Sequence, residues 1–244
     1  MCGITGFTGA RDGMQDIIAS MHGAIAHRGP DSTGSWVDEI NGIALGHQRL
    51  AIQDLSDAGH QPMRSPSNRF VIIFNGEIYN HFDLRDSLER CSSSPISWNG
   101  HSDTETLATS IDLIGIQETL FLLKGMFALA VWDVQSNILT LARDRIGEKP
   151  LFYGFLNSHL VFGSELKAIK KFPDFNSEIS KEAEVEDMAY MREIDVCQDL
   201  PTMVIRAARL MKQRRLMDEL TAEEEIDHLI NDDASQYRKT TAFD

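Results

Sequence analysis

The chain has 244 residues, enough for one large core or for a domain of about 170 residues carrying an appendage. With 42% apolar and 25% charged residues its composition is that of an ordinary globular protein, which excludes fibrous and low-complexity classes. A formal net charge of -14 argues against nonspecific nucleic-acid binding, because neutralising phosphates needs clustered Lys and Arg.

In chain order, residues 2–8 (CGITGFT) alternate small and apolar positions and predict a short strand. Residues 16–26 place Ile17, Ile18, Met21, Ala24 and Ile25 on one helical face, and Gly29 and Pro30 in HRGPD end that helix. Short strands are expected at 34–37, 43–46 and 50–53. The uninterrupted apolar run FVIIF at 70–74 suits a strand buried on both faces, ending at Asn75-Gly76. Helices are predicted at 84–90, 103–114 and 116–123, the second entered through Ser102 and Glu105 in capping-box spacing. Strand-like runs at 127–133, 138–143, 151–155 and 160–164 have short connections and read as an antiparallel meander. Helices grouped between strand-rich sections predict an α+β fold of two stacked sheets with helices outside.

The character changes at Pro173. Residues 1–172 carry 14 basic and 19 acidic side chains, whereas residues 173–244 carry 9 and 18. The expected division is a domain over 1–172 and an acidic helical tail over 173–244, with helices at 181–194, 201–220 and 222–230. In the middle one Met203, Val204, Ala207, Ala208, Leu210 and Met211 would form an apolar face.

Three cysteines, Cys2, Cys91 and Cys197, are too scattered for a disulfide framework, and no CxxC pair suggests zinc. No secretory signal pattern is evident, and no apolar run approaches the roughly 20 residues needed to cross a bilayer. The expected compartment is the cytoplasm, with no membrane and no nucleic-acid partner.

Cys2 carries the sharpest chemical signal. Removal of Met1 would leave a thiol and an α-amine on one residue, and an α-amine with a pKa of about 7.7 to 8.0 can take the proton of its own side chain. Asn75 and Gly76 offer two donors for a developing oxyanion, the side-chain amide of one and the backbone N–H of the other. Gly76 would also let a substrate approach the backbone closely. A type I′ hairpin turn at the same dipeptide remains the alternative. A substrate with a carboxylate and an ammonium group would need a cation and an anion in fixed places, for which Arg49 offers a planar fork and Asp103 an acid, although each singly also reads as a solvated surface charge. His27, His47, His60 and His81 have no metal-like spacing and are read as structural.

The segments CGITGF, HRGPDSTG, GHQRLAIQDLS, QPM, FNGEIYNH, SDTE, GMFALAVWD, RDRIGEKPLFYG and FGSELKAI occur in this order over about 170 residues. Together they resemble the glutaminase domain, a class II glutamine amidotransferase, of the asparagine synthetase family. HRGPDSTG and NGEIYNH are closer to that branch than to the glucosamine-phosphate or purine-pathway amidotransferases. The resemblance implies an N-terminal nucleophile hydrolase fold, a four-layer αββα sandwich.

It also implies roles. Cys2 would be the nucleophile and its α-amine the base, with Asn75 and Gly76 as oxyanion donors. Arg49 would hold the carboxylate of L-glutamine, Leu50, Ala51, Ile52 and Gln53 would line the pocket, and Asp103 would hold the ammonium, with Glu77 beside the oxyanion donors. The expected reaction is hydrolysis of glutamine to glutamate and ammonia through a thioester, with no cofactor and no metal. An SGGxDS-type pyrophosphate loop is not found in the chain, so the expected partner is a separate ammonia-accepting synthetase subunit. A non-catalytic glutamine-binding module and a rearranged synthetase fragment remain open as alternatives.

Overall fold

The computed structural model describes residues 1–157, 159–173 and 175, together with the backbone of Met203–Ala207. Among the described residues ten strands form two five-stranded antiparallel sheets. The first contains β1 (Gly3–Thr8), β2 (Ser32–Asp38), β3 (Ile43–Arg49), β8 (Phe152–Leu156) and β9 (His159–Gly163), in the order β2-β3-β1-β9-β8. The second contains β4 (Met63–Arg64), β5 (Phe70–Ile78), β6 (Gly125–Asp133), β7 (Ile138–Arg143) and β10 (Met203–Ala207), in the order β10-β7-β6-β5-β4.

Strand alternation builds the layers. On β5, Val71 and Ile73 point between the sheets, where they meet Ile4, Leu45, Ala130 and Phe162. Phe70, Ile72 and Phe74 point the other way, onto a core shared with α2 (His81–Cys91), α3 (Asp103–Ile114) and α4 (Ile116–Leu122). Phe7, Ala44 and Val161 face outward from the first sheet onto α1 (Met14–Gly23) and the short α5 (Leu166–Ile169). The result is the four-layer αββα sandwich that the resemblance implied. Among the described residues no helix is long and apolar enough to cross a membrane.

Four expectations about elements change. Strand β3 runs on to Arg49 because it is paired along its length with both β1 and β2, and residues 50–53 are a loop instead of a further strand. The Asn75-Gly76 pair does not turn the chain. Strand β5 passes straight through it to Ile78, held by an unbroken ladder with β6 that pairs Asn75 with Ala128 and Gly76 with Phe127. The C-terminal meander is split between the sheets: β6 and β7 pair in one, β8 and β9 in the other. The RDRIGEKP segment is the crossover, folded around Asp144, whose carboxylate accepts the N–H groups of Phe127, Ile146, Glu148 and Lys149.

The fourth change concerns the helix expected over 201–220. Met203–Ala207 is a strand, paired antiparallel with β7 from Met203 opposite Arg143 to Ala207 opposite Leu139. Adjacent β-branched Val204 and Ile205 favour extended backbone, and the outer edge of β7 offers them a row of hydrogen-bonding groups. The remainder of that expected helix, the helices expected at 181–194 and 222–230, and Cys197 lie outside the described residues.

Helix α3 begins as its capping box predicts, but only half of the box forms. Ser102 Oγ accepts the Glu105 N–H at 3.2 Å. The Glu105 carboxylate reaches back past Ser102 to the N–H groups of Asn99 and Gly100, at 2.6 and 2.9 Å, and to Arg85 at 3.3 Å. This buried Arg85–Glu105 pair fixes the loop that delivers Asp103 to the start of the helix.

Candidate active site

Cys2 precedes β1 at the edge of the inter-sheet space. Because Gly3 pairs with Gln48, continuing the register places Cys2 opposite Arg49. Its sulfur lies 3.4 Å from the Leu50 N–H nitrogen and 3.6 Å from the Leu50 carbonyl oxygen. A thiol donates to that carbonyl, and a thiolate would accept from that N–H. The Cys2 carbonyl accepts Arg28 Nε at 2.9 Å, and Arg28 Nη1 in turn binds Glu165 at 3.0 Å. Partial burial pushes Glu165 up, yet Lys167, Arg28 and His27 together bring it down to about 2. The Cys2 backbone is therefore clamped by an ion cluster joining the α1–β2 connection to the start of α5.

Burial pushes the Cys2 thiol up. The Leu50 N–H, the terminal amine and Arg49 oppose this, while the charge of Asp103 adds to it. With Met1 in place the Cys2 nitrogen is a peptide amide without basicity. Met1 is 60% exposed, with its sulfur 3.6 Å from Lys149 Nζ.

The free edge of β5 forms one wall. Strand β4 covers β5 only at Val71 and Ile72, and beyond it the outward groups of β5 meet side chains instead. The Phe74 N–H donates to Gln61 Oε1 at 2.6 Å, and the Ile78 N–H donates to Asp103 Oδ2 at 2.9 Å. Antiparallel alternation turns the Gly76 N–H out of the same edge, between those two. Asn75 sits on the inter-sheet face, 1% exposed, and its Nδ2 has no hydrogen-bond partner among the described residues. A buried amide donor left unpaired costs on the order of 1 to 3 kcal/mol, so it calls for an explanation.

Gly76 is required for a different reason from the one its sequence suggests. A Cβ there would run into the Met126 carbonyl oxygen and Phe127 Cα of β6, so the close approach that excludes a side chain is that of the neighbouring strand.

Arg49 ends β3 and is 8% exposed. Nη1 donates to the Ser56 carbonyl at 2.9 Å and Nη2 to the Asp54 carbonyl, so the guanidinium is held by the loop after β3. Gly59 makes room for it, since a Cβ there would meet Nη2. The Asp54 carboxylate, lowered to about 2 by the Ser56 hydroxyl and by the His101 and Ser56 N–H groups, ties this loop to the segment leading into α3.

Asp103 lies at the helix N-terminus, 6% exposed, with its N–H on Gln53 Oε1 at 3.3 Å. Burial pushes its carboxyl up to about 6 against the pull of the Ile78 and Thr104 N–H groups, with Glu77 adding to the rise. The charges near Cys2 are thus a guanidinium held by the loop after β3 and a desolvated carboxyl with no salt-bridge cation among the described residues.

Of the other residues named from sequence, Leu50 and Ala51 are half-buried beside the sulfur and Asp31, while Ile52, Gln53 and Glu77 are exposed at the rim. Sequence reading assigned no role to Arg28 or Gln61, although both lie in quoted motifs. It read His47 as structural. His47 is fully buried, lowered to about 3 by that burial, and its Nε2–H donates to the Phe74 carbonyl at 3.1 Å. Hydrophobic periodicity carries no trace of these contacts, because each joins segments far apart in sequence.

Residues 1–223 match a family model described as the glutamine amidotransferase domain. The chain is 37% identical over 191 residues, 74% of its length, to asparagine synthetase [glutamine-hydrolyzing] 3 of Bacillus subtilis, of which it covers 29%. It is 38% identical over 176 residues, 72% of its length, to asparagine synthetase [glutamine-hydrolyzing] 1 of the same organism, covering 27%. It therefore spans less than a third of the length of these curated relatives. Among solved structures, glutamine phosphoribosylpyrophosphate amidotransferase from B. subtilis superimposes with a TM-score of 0.59 at 24% identity, covering 70% of this chain and 43% of that one. That likeness concerns the fold, and together with the family match it leads to one assignment: this chain belongs to the glutamine amidotransferase domain family.

Proposed function

We propose that the chain hydrolyses the side-chain amide of L-glutamine to glutamate and ammonia, with Cys2 as the nucleophile. The observation that carries this reading is the buried Asn75 amide, without a partner among the described residues, beside the outward Gly76 N–H. Two such donors match the needs of a tetrahedral oxyanion.

The reaction proceeds in two halves. After Met1 is removed, the Cys2 α-amine takes the thiol proton and the sulfur attacks the amide carbon. Asn75 and Gly76 hold the oxyanion. The C–N bond then breaks, ammonia departs with the transferred proton, and a thioester remains. Water, deprotonated by the same amine, attacks the thioester and releases glutamate. Arg49 holds the glutamine carboxylate and Asp103 its ammonium, with Leu50, Ala51, Ile52 and Gln53 along the pocket and Glu77 at its rim.

The relatives' names join glutamine hydrolysis to asparagine synthesis, and this chain matches only the smaller part of their length. The acceptor proposed for the ammonia is a synthetase unit outside the matched residues.

Protein whose intact mass shows loss of Met1 will release glutamate and ammonia in equal amounts from glutamine. Absence of both products would overturn the proposal. Replacing Asn75 with Ala will lower kcat by about 100- to 1000-fold, the usual loss for one oxyanion donor, with KM changed by less than about threefold. Wild-type kcat in Asn75→Ala would remove that residue from the oxyanion hole.

A further inference from the structure

We infer that Gln61 is a positioning residue that braces the oxyanion edge of β5 against the ammonium-binding end of α3, and so governs turnover and glutamine affinity through separate hydrogen bonds. The inference rests on the glutaminase reading of the site.

Gln61 belongs to the loop before β4 and is 4% exposed. Its carboxamide uses both ends. Oε1 accepts the Phe74 N–H at 2.6 Å, one residue before Asn75. Nε2 donates to Thr104 Oγ1 at 3.3 Å, and the Thr104 hydroxyl faces Asp103 Oδ1 at 3.5 Å. A buried side chain thus runs from the strand bearing the two oxyanion donors to the residue next to the carboxylate that meets the ammonium.

The position of this brace along β5 matters. Outward N–H groups follow one another at Phe74, Gly76 and Ile78; the first goes to Gln61 and the third to Asp103. The middle one is the oxyanion donor. Gln61 and Asp103 therefore bracket Gly76, and the link through Thr104 joins the two brackets. From the other sheet, the neutral His47 ring donates to the Phe74 carbonyl at 3.1 Å. Both polar groups of Phe74 are consequently held by side chains, one from β3 and one from the loop before β4, where a sheet ladder would otherwise set them. The β6 ladder holds one edge of this stretch and those side chains hold the other, and an error of about 1 Å in a reacting geometry can cost about 100-fold in rate.

The two ends of the amide make different predictions. Gln61→Leu removes both contacts and will lower kcat by about 30- to 100-fold while raising KM about fivefold. Gln61→Glu keeps an acceptor for Phe74 and loses the amide donor to Thr104; it will recover kcat to within about fivefold of wild type and leave KM raised. Thr104→Val cuts only the far link and will raise KM with kcat nearly unchanged. General loosening of the fold would lower the melting temperature without sorting kcat from KM in this way.

A second readout does not depend on turnover. In protein labelled with nitrogen-15, the Asn75 side-chain amide resonances will shift in Gln61→Leu and return toward the wild-type position in Gln61→Glu. If wild-type protein fails to hydrolyse glutamine, the proposed function falls, and these resonances still decide whether Gln61 orients Asn75. Wild-type kcat and KM in Gln61→Leu, or Asn75 resonances unmoved in that variant, would overturn the inference.

Discussion

Cys2→Ala will lose glutamine hydrolysis by at least about 10,000-fold while still binding glutamine. No other described thiol can substitute: Cys91 is exposed at the end of α2, on the outer helical layer. The carboxylate and ammonium contacts proposed for Arg49 and Asp103 do not involve the sulfur, so calorimetry on the variant should give a dissociation constant within a few-fold of the wild-type KM. Residual activity above a tenth of wild type would remove Cys2 from the chemistry.

The same reasoning makes activity depend on the chain terminus. Burial raises the thiol, so an adjacent base must take its proton, and the only base on Cys2 itself is an α-amine freed by loss of Met1. Protein retaining Met1, prepared by placing a bulky residue after it and before Cys2, should turn over at a small fraction of the wild-type rate. Full activity in that protein would exclude the α-amine as the base.

Asp103→Asn will weaken glutamine binding and strengthen the fold. The carboxyl is raised from 3.8 to about 6, chiefly by burial, so keeping it ionised in the folded protein works against stability at neutral pH. A raised folded-state pKa means a contribution that favours folding below the unfolded value and is lost as pH climbs through about 6. At pH 7.5 the cost is on the order of 3 kcal/mol. Asn keeps an oxygen for the Ile78 N–H and carries no charge. The melting temperature of the variant should therefore exceed that of wild type by about 6 to 12 °C at pH 7.5, and the difference should shrink toward zero near pH 4. KM for glutamine should rise about 100-fold, as expected when a charge-assisted hydrogen bond to an ammonium is lost.

Wild-type kcat/KM should also fall as pH drops through about 6, where the free enzyme's Asp103 takes up its proton, and Asp103→Asn should lack that step. Equal melting temperatures for the two proteins at pH 7.5, or an unchanged KM, would sink this assignment. Tension between stability and binding is expected of a carboxylate kept desolvated to await a cation.

Local pattern was enough to read the elements whose packing follows from one stripe or one alternation. Helix α3 begins at Asp103 because Ser102 caps it, and its extent of 103–114 is readable from the sequence. The run FVIIF is apolar because β5 is covered on both faces, and that too is visible in one dimension. The order of the motifs, read together, also disclosed the four layers and the identity of the candidate residues Cys2, Arg49, Asn75, Gly76 and Asp103.

Tertiary structure decided everything that depends on a partner strand. Asn75-Gly76 has the composition of a turn, and only the β6 ladder keeps it extended, with a neighbouring carbonyl that leaves no room for a side chain at Gly76. Residues 203–207 have the spacing of a helix face and become a strand because β7 presents an open edge. Arg28 on the Cys2 carbonyl, His47 and Gln61 on Phe74, and Asp54 between the Arg49 loop and the α3 entry are contacts between segments distant in sequence. A hydrogen bond of that kind leaves no periodic mark on either segment, since it is set by the distance between folded layers and the direction of one buried polar atom.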